Sequence, residues 1–197
     1  MLMKNRLAAL VDDRDGQFRV DRQIYLDEEI FEAEMREFFE GGWIYLAHES
    51  QIRNSGDYVS LKMGRQPVFV VRKKDGGIGG YLNACSHRAA TLVPFQQGKA
   101  TVFTCRFHGW AFNHDGKCIK IKNEDSGAYP DDLMARSSLH AIPKLQSWRG
   151  FIFGSLRADV PSLADWLGPA ASWIDLMSDQ SPDGQEVLRG SSSYSVR

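Results

Sequence analysis

The sequence has no block of like charges and no apolar run long enough to span a membrane. Lys and Arg number 24 against 25 Asp and Glu, which gives a formal net charge of −1. This balance argues against the basic stripe of a nucleic-acid-binding protein and the polybasic segment of a membrane-surface protein. The apolar run at residues 7–11 ends at a cluster of charges and is too short for a secretory signal. We therefore expect a cytoplasmic protein that binds neither nucleic acid nor membrane.

Cysteine is also scarce, with three residues in a chain of 197. A small and odd number argues against a disulfide framework and suits a reducing compartment. Cys85 and Cys105 are each followed by a histidine within three residues, whereas Cys118 is not. We interpret Cys118 as a small buried apolar side chain. With 43% hydrophobic residues, the chain can bury a sizeable core.

The residues that carry chemistry stand in two short motifs, Cys85-Ser-His87 and Cys105-Arg-Phe-His108. Each motif supplies one thiolate and one imidazole. Zinc sites of this composition usually start from two cysteines about two to four residues apart, which is not the spacing here. A Rieske [2Fe–2S] cluster instead has two Cys on one iron and two His on the other. The spacing therefore favours a Rieske cluster, with a structural zinc site as the alternative.

In this hypothesis Cys85 and Cys105 hold the iron that stays ferric, and His87 and His108 hold the iron that changes valence. Neutral imidazoles carry less charge than thiolates, so the expected reduction potential lies within roughly −150 to +300 mV, above that of an all-cysteine cluster. We expect the histidine edges at the surface, where they pass the electron. Their second ring nitrogens need hydrogen-bond partners that fix the ring orientation.

The neighbours of these ligands are expected to surround the cluster. Gly109 would let backbone N–H groups approach the sulfur, and Phe107 or Trp110 would exclude water. For each ring alone, a plain core role is an equally good interpretation. The expected neighbours are Ser86, Arg88, Phe107, Gly109 and Trp110.

The other histidines, His48, His114 and His140, have no partners at ligand spacing. His114 stands in a predicted turn beside Asp115-Gly116, and we expect it in solvent. An oxygenase also needs an iron that binds dioxygen, usually held by two His and one carboxylate. Once His87 and His108 are assigned, no suitably spaced His pair remains, so the sequence predicts electron transfer without a site for oxygen chemistry.

The residue pattern predicts a mainly β (α+β) fold of small antiparallel sheets with flanking helices. Residues 43–158 alternate short strands with turns such as Asp75-Gly76, Asp115-Gly116 and Arg149-Gly150. Both motifs directly follow predicted strands, and residues 123–138 are predicted to form a long surface loop. The predicted strands are residues 43–46, 58–63, 67–73, 80–84, 99–104, 110–113, 117–121, 144–148 and 151–156.

Residues 1–42, before the β region, are predicted to form a surface arm with one short amphipathic turn and then a helix. Asp27 is the predicted cap of this helix, and Gly41-Gly42 ends it. The residues expected on its apolar face are Phe31, Met35, Phe38 and Phe39.

Residues 159–197 return to a helical pattern after the β region. Ser162 and Asp165 form a predicted capping box, and a second helix starts at Pro169. A strand is predicted at residues 186–196. We interpret the whole segment as a helical linker followed by the first strand of an incomplete catalytic domain. The residues expected on the apolar face of the second helix are Ala170, Trp173, Ile174 and Met177.

The full motifs, Cys85-Ser-His87-Arg88-Ala89 and Cys105-Arg106-Phe107-His108-Gly109-Trp110, resemble the Rieske signature of the large (α) subunits of bacterial aromatic-ring-hydroxylating dioxygenases. The resemblance starts near residue 20 and covers almost all the rest of the chain. Trp110 stands where respiratory Rieske proteins place Ser, which implies a low potential within the Rieske range. The segments that look like the benzoate, toluate, anthranilate and 2-halobenzoate branch are residues 43–51, 63–67, 149–156 and 187–192.

The resemblance implies an NADH-dependent oxidoreductase component. In this family a reductase with flavin and an iron–sulfur centre passes electrons to the Rieske cluster. The cluster then reduces a mononuclear Fe(II) in a C-terminal catalytic domain, which cis-dihydroxylates an aromatic carboxylate within an α3 or α3β3 assembly. The sequence stops where that domain would begin, so Fe(II) and the catalytic residues are expected outside it. The alternative is a stand-alone electron carrier that resembles a Rieske ferredoxin and has no oxygenase activity.

Overall fold

The computed structural model describes residues 2–122, 127 and 129–188. The strands are Val11–Asp12 (β1), Arg19–Val20 (β2), Ile44–His48 (β3), Asp57–Met63 (β4), Gln66–Arg72 (β5), Ile78–Leu82 (β6), Gln97–Lys99 (β7), Phe103–Thr104 (β8), Ala111–Phe112 (β9), Cys118–Lys120 (β10), Lys144–Trp148 (β11) and Phe151–Ser155 (β12). The α-helices are Leu2–Ala9 (α1), Glu28–Glu34 (α2), Leu133–Arg136 (α3), Leu163–Leu167 (α4) and Ala170–Ser178 (α5).

Three small antiparallel sheets form the β region, as predicted. Their strand orders are β6-β5-β4-β7, β11-β12-β3 and β10-β9-β8. Strand β11 begins and ends where it was predicted. The strand predicted at residues 99–104 is wrong, because it is divided into β7 and β8. Between them the carbonyl of Ala100 accepts a hydrogen bond from the His114 imidazole at 2.8 Å, a side-chain contact in place of a strand pairing.

Strand β5 is buried on both faces and separates two apolar clusters. Side chains alternate along a strand, so Phe69 and Val71 face one cluster while Val68 and Val70 face the other. The first cluster contains strands β8 to β10 and both motif cysteines, and the second contains β3 and β12. Burying each of these side chains contributes about 1.5–3 kcal/mol. The motif cysteines therefore lie at the edge of a well-packed core.

The first 26 residues are more ordered than the predicted arm. Helix α1 is followed by the β1–β2 hairpin, in which Val11 pairs with Val20. The Arg6 side chain forms ion pairs with Asp27 and Glu29 at the start of α2. Because these partners are distant from Arg6 in sequence, a local pattern gives no sign of them.

Helix α2 begins as predicted, because the Asp27 carboxylate accepts hydrogen bonds from the N–H groups of Glu29 and Ile30. The predicted apolar face is confirmed at Met35 and is wrong for its three phenylalanines. The buried side chains are Ile30 and Met35, and the chain continues as a π-helix over Met35–Phe39, which shifts the later side chains away from the α-helical period. The exposed members of the predicted face are Phe31, Phe38 and Phe39.

The predicted loop at residues 123–138 contains the short helix α3, so that prediction is wrong for Leu133–Arg136. Asp132 and Arg136 form an ion pair one turn apart, which favours the helix. Residues 123–126 and 128 of the predicted loop lie outside the described residues.

The two C-terminal helices form where predicted. Ser162 caps α4 by accepting a hydrogen bond from the Asp165 N–H at 3.1 Å. In α5, however, Trp173 and Met177 of the predicted apolar face are exposed. No strand forms at residues 186–188, and the rest of the strand predicted at 186–196 lies outside the described residues. In the part of the chain that the structure describes, no helix has the length and apolarity to cross a bilayer.

Candidate metal centre

The two motifs fold into loops with the same backbone hydrogen bonds. In the first motif loop, residues 85–90, the N–H of Cys85 donates to the carbonyl of Ala90 and the N–H of Ala89 donates to the carbonyl of Cys85, both at 2.8 Å. Each bond closes a tight turn around the histidine. The loop thereby holds Cys85 and His87 on one short, fixed segment of backbone.

The second motif loop, residues 105–110, repeats this pattern. The N–H of Cys105 donates to the carbonyl of Trp110 at 2.8 Å, and the N–H of Gly109 donates to the carbonyl of Cys105 at 3.0 Å. The N–H of Gly109 itself is thus bonded to a carbonyl oxygen. Two loops of the same design therefore face each other, although their cysteine–histidine spacings differ by one residue.

Both loops need a left-handed residue at the same place in the turn. Gly109 has φ +71° and Ala89 has φ +54°. Glycine adopts this conformation without a steric penalty, whereas the Cβ of alanine causes steric strain there. The strain at Ala89 indicates that the surrounding hydrogen bonds fix the first loop in this shape.

The two motif cysteines meet in the core. Each is 2% exposed, and their side chains are in hydrogen-bond contact. Burial raises the pKa of the Cys85 thiol, and the neighbouring Cys105 raises it further. The backbone N–H groups of His87 and Arg88 lower the pKa of Cys85, because they donate hydrogen bonds that favour the thiolate.

The two motif histidines also form a pair, with ring centroids 4.7 Å apart and planes at 84°. His87 is partly buried and His108 is exposed. Desolvation lowers the pKa of His87, and the positive charges of His108 and Arg88 lower it further. Both effects favour the neutral imidazole, which is the form that binds a metal.

The aromatic neighbours of the histidines lie in different environments. Trp110 is 5% exposed and stacks on His87, whereas Phe107 is 74% exposed and lies 6.4 Å from the His108 ring. Of the two rings considered for excluding water, Trp110 is therefore the one in a position to do so. Arg106 extends over the exposed ring of Phe95 at 5.7 Å.

Sequence reasoning missed Asn83 and Ser137, whose hydrogen bonds hold the first motif loop. Ser86 donates from its hydroxyl to the carbonyl of Ser137 at 2.7 Å. The buried amide of Asn83 donates to the carbonyl of Val93 at 2.7 Å and accepts hydrogen bonds from Leu92 and Val93. A polar Asn near the end of a predicted strand, two residues before Cys85, was the signal available for Asn83. Ser137 is distant in sequence and gave none.

The expectation that His114 lies in solvent is wrong. Its side chain is 4% exposed, and the imidazole bonds to the carbonyl of Ala100. The hydroxyl of Tyr81 donates to the backbone carbonyl of His114 at 3.1 Å, which ties the same turn to strand β6. His48 is buried as well. Across the described ranges, no three His, Cys, Asp or Glu side chains gather as a single metal ion would require.

The motif residues thus come together as two like pairs, thiol with thiol and imidazole with imidazole. A [2Fe–2S] cluster with cysteines on one iron and histidines on the other needs this donor set. The sequence model of the Rieske [2Fe-2S] domain matches residues 42–146.

The chain belongs to the Rieske [2Fe-2S] domain family.

Two curated relatives extend the similarity beyond this domain. The chain is 48% identical to toluate 1,2-dioxygenase subunit alpha of Pseudomonas putida over 93% of its own length and 41% of that protein. It is 43% identical to the 2-halobenzoate 1,2-dioxygenase large subunit of Burkholderia cepacia, over 93% of this chain and 40% of that protein. Both relatives are oxidoreductase subunits, and the chain spans about two fifths of their length.

A solved structure supports the fold independently. Naphthalene 1,2-dioxygenase from Rhodococcus sp. bound to indole superimposes with a TM-score of 0.79 at 32% sequence identity. The match covers 86% of this chain and 39% of that chain. The chain is therefore similar in sequence and fold to the Rieske portion of these dioxygenases, and a Rieske domain carries a [2Fe–2S] cluster.

Proposed function

We propose that Cys85 and Cys105 bind one iron of the cluster as thiolates and that His87 and His108 bind the other as neutral imidazoles. The observation that carries this assignment is the arrangement in two like pairs on two loops of the same backbone design. The expected neighbours Arg88, Phe107, Gly109 and Trp110 all lie on these loops. The N–H donors around Cys85 support a thiolate at that position.

The bound cluster would supply reversible one-electron transfer. The chain itself keeps the cysteine side in the core and presents the histidine side to the exterior. His108 and Phe107 are exposed, so a redox partner would approach the centre from that side. Electron transfer through the protein surface therefore needs no rearrangement of the loops.

In the whole protein, we propose, this electron serves a ring-hydroxylating dioxygenase that cis-dihydroxylates an aromatic carboxylate of the benzoate or anthranilate class. The catalytic mononuclear Fe(II) would lie in the part of the α subunit that this chain does not span. The electron source would be an NADH-dependent reductase with flavin and an iron–sulfur centre. The assembly would be α3, or α3β3 with a small β subunit, in the cytoplasm.

The proposed domain limits are residues 1–42 for the N-terminal arm and helix, 43–158 for the Rieske domain and 159–197 for the linker and first catalytic strand. A stand-alone Rieske ferredoxin-like carrier is the less favoured alternative. Similarity to the dioxygenase subunits continues over 93% of the chain, well beyond the Rieske match at residues 42–146.

The decisive experiment is electron paramagnetic resonance (EPR) of the dithionite-reduced protein together with iron and zinc analysis. We expect about two irons per chain and a rhombic signal with the low average g value of mixed His/Cys ligation. Zinc without a signal would contradict both the cluster and its role in electron transfer. To test the ligand assignment, His108→Ala should lose the iron and the signal, whereas the exposed non-motif His140→Ala should keep both.

A further inference from the structure

Trp110 lies flat against the imidazole of His87. The ring centroids are 4.7 Å apart and the planes differ by 16°, which is a stacked arrangement. The indole is buried in the same apolar cluster as both motif cysteines. One face of His87 is therefore covered by a large aromatic ring, while the His108 ring meets His87 at 84°.

This stack connects the two motif loops. The backbone of Trp110 closes the second loop by accepting the hydrogen bond of Cys105, and its side chain reaches His87 on the first loop. The indole thus restricts rotation of a ring whose backbone belongs to the other loop. No residue on the first loop makes an equivalent stack on His108 among the ring contacts of the described residues.

We propose that Trp110 is a positioning residue that fixes the ring plane of His87 and shields it from water, and thereby holds the reduction potential of the centre low. The proposal rests on the proposed function, because it requires His87 to be a ligand.

The sign of the effect follows from charge. Reduction adds one negative charge to the centre, and water stabilises the more charged state. A buried indole excludes that water, and the negative face of its π system also disfavours added negative charge nearby. Removing the indole should therefore favour the reduced state and raise the potential. Freeing the imidazole to rotate should change the geometry of the ligand at the valence-changing iron.

The test compares three variants of the purified chain. Trp110→Leu removes the flat aromatic face, and Trp110→Phe keeps a smaller one. Phe103→Leu is the matched control, because Phe103 belongs to the same apolar cluster and its ring contacts are with Tyr58, Phe69 and His114. Iron content, reduction potential and the EPR g values are measured for each protein.

We expect the potential to rise in the order wild type, Trp110→Phe, Trp110→Leu, with altered g values in the Leu variant. Phe103→Leu should lower the melting temperature but keep the wild-type potential and g values. A wild-type potential in Trp110→Leu, or the same shift in Phe103→Leu, would overturn the proposal. If Trp110→Leu binds no iron, Trp110→Phe decides, since a positive shift supports the proposal and a wild-type potential refutes it.

These outcomes separate the two levels of inference. A wild-type chain without a [2Fe–2S] signal refutes the proposed function and, with it, the role of Trp110. A normal wild-type signal with no dependence on Trp110 refutes only the positioning role. The proposed ligand assignment would then remain valid for Cys85, His87, Cys105 and His108.

Discussion

The first and second motif loops have the same backbone hydrogen bonds but very different surroundings. In the first, Ser86 is tied to Ser137 and His87 is covered by Trp110. In the second, Phe107 and His108 project outward. The comparison indicates that the backbone sets the positions of the proposed ligands, whereas the surroundings decide which of them a partner protein can reach.

The largest expected effect is a loss of iron when the cysteine of either motif loop is replaced. Cys85→Ser and Cys105→Ser should each reduce the iron content from about two per chain to nearly none, because in the proposed assignment each loop supplies one of the two sulfur ligands. Cys118→Ser is the matched control, since Cys118 is also buried but stands outside both loops. Iron analysis and the EPR signal measure the loss. Full iron in either motif variant would show that the two loops are not equivalent.

The left-handed positions should distinguish the loops by stability. Gly109→Ala should lower the free energy of unfolding by about 1 kcal/mol, because alanine is strained at positive φ. The added Cβ would lie 3.7 Å from the Lys122 side chain, so strain and not collision causes the loss. Ala89→Gly should change stability little, since relief of strain is offset by the greater freedom of the unfolded chain. Urea unfolding measures both, and equal losses would contradict the comparison.

Removing the hydrogen bond of Ser86, which anchors the first loop, should lower stability without changing the iron content. Ser86→Ala removes the hydrogen bond to the Ser137 carbonyl and should lower the free energy of unfolding by about 1 kcal/mol, with the iron content unchanged. The control is Ser172→Ala, because Ser172 is exposed on helix α5. Urea unfolding of the two variants measures the difference. A loss of iron in Ser86→Ala would mean that the anchor also holds the ligands.

The smallest expected effect is on stability, at Arg106 of the second loop, which follows Cys105 as Ser86 follows Cys85. Arg106→Ala removes the contact between the guanidinium and the exposed Phe95 ring, which contributes about 0.5 kcal/mol at the surface. Arg106→Lys retains a cation and should lie nearer to wild type. Thermal unfolding can resolve the series only as a small shift. A loss as large as that of Ser86→Ala would remove the distinction between an anchored and an exposed loop.

Local signals in the sequence predicted much of the fold. The β11–β12 hairpin follows from two predicted strands on either side of the turn Arg149-Gly150, where Gly150 has φ +89°. The helix starts at Asp27 and Ser162 follow from short polar side chains that bond to N–H groups a few residues ahead. These contacts span only a few residues, so a pattern of residue types is sufficient to predict them.

Burial was predicted less well, because it depends on what packs against each face. Phe31, Phe38 and Phe39 have the spacing of an apolar helix face and yet are exposed, while His114 looks like a turn residue and is buried. The local pattern of residue types predicts neither the exposure of the phenylalanines nor the burial of His114. His114 is held in the core by a hydrogen bond to the carbonyl of Ala100, fourteen residues earlier in the chain.

For the candidate site, the sequence alone determined the donor set and its spacing, since two Cys and two His in two motifs already favour a Rieske cluster over zinc. The pairing of like donors was expected from the sequence, whereas the tertiary structure decided which histidine is exposed and that Trp110 covers His87. The physical reason is that ligand chemistry resides in side-chain type and short spacing. Exposure and the stack on His87 arise only when two motif loops are brought together against one core.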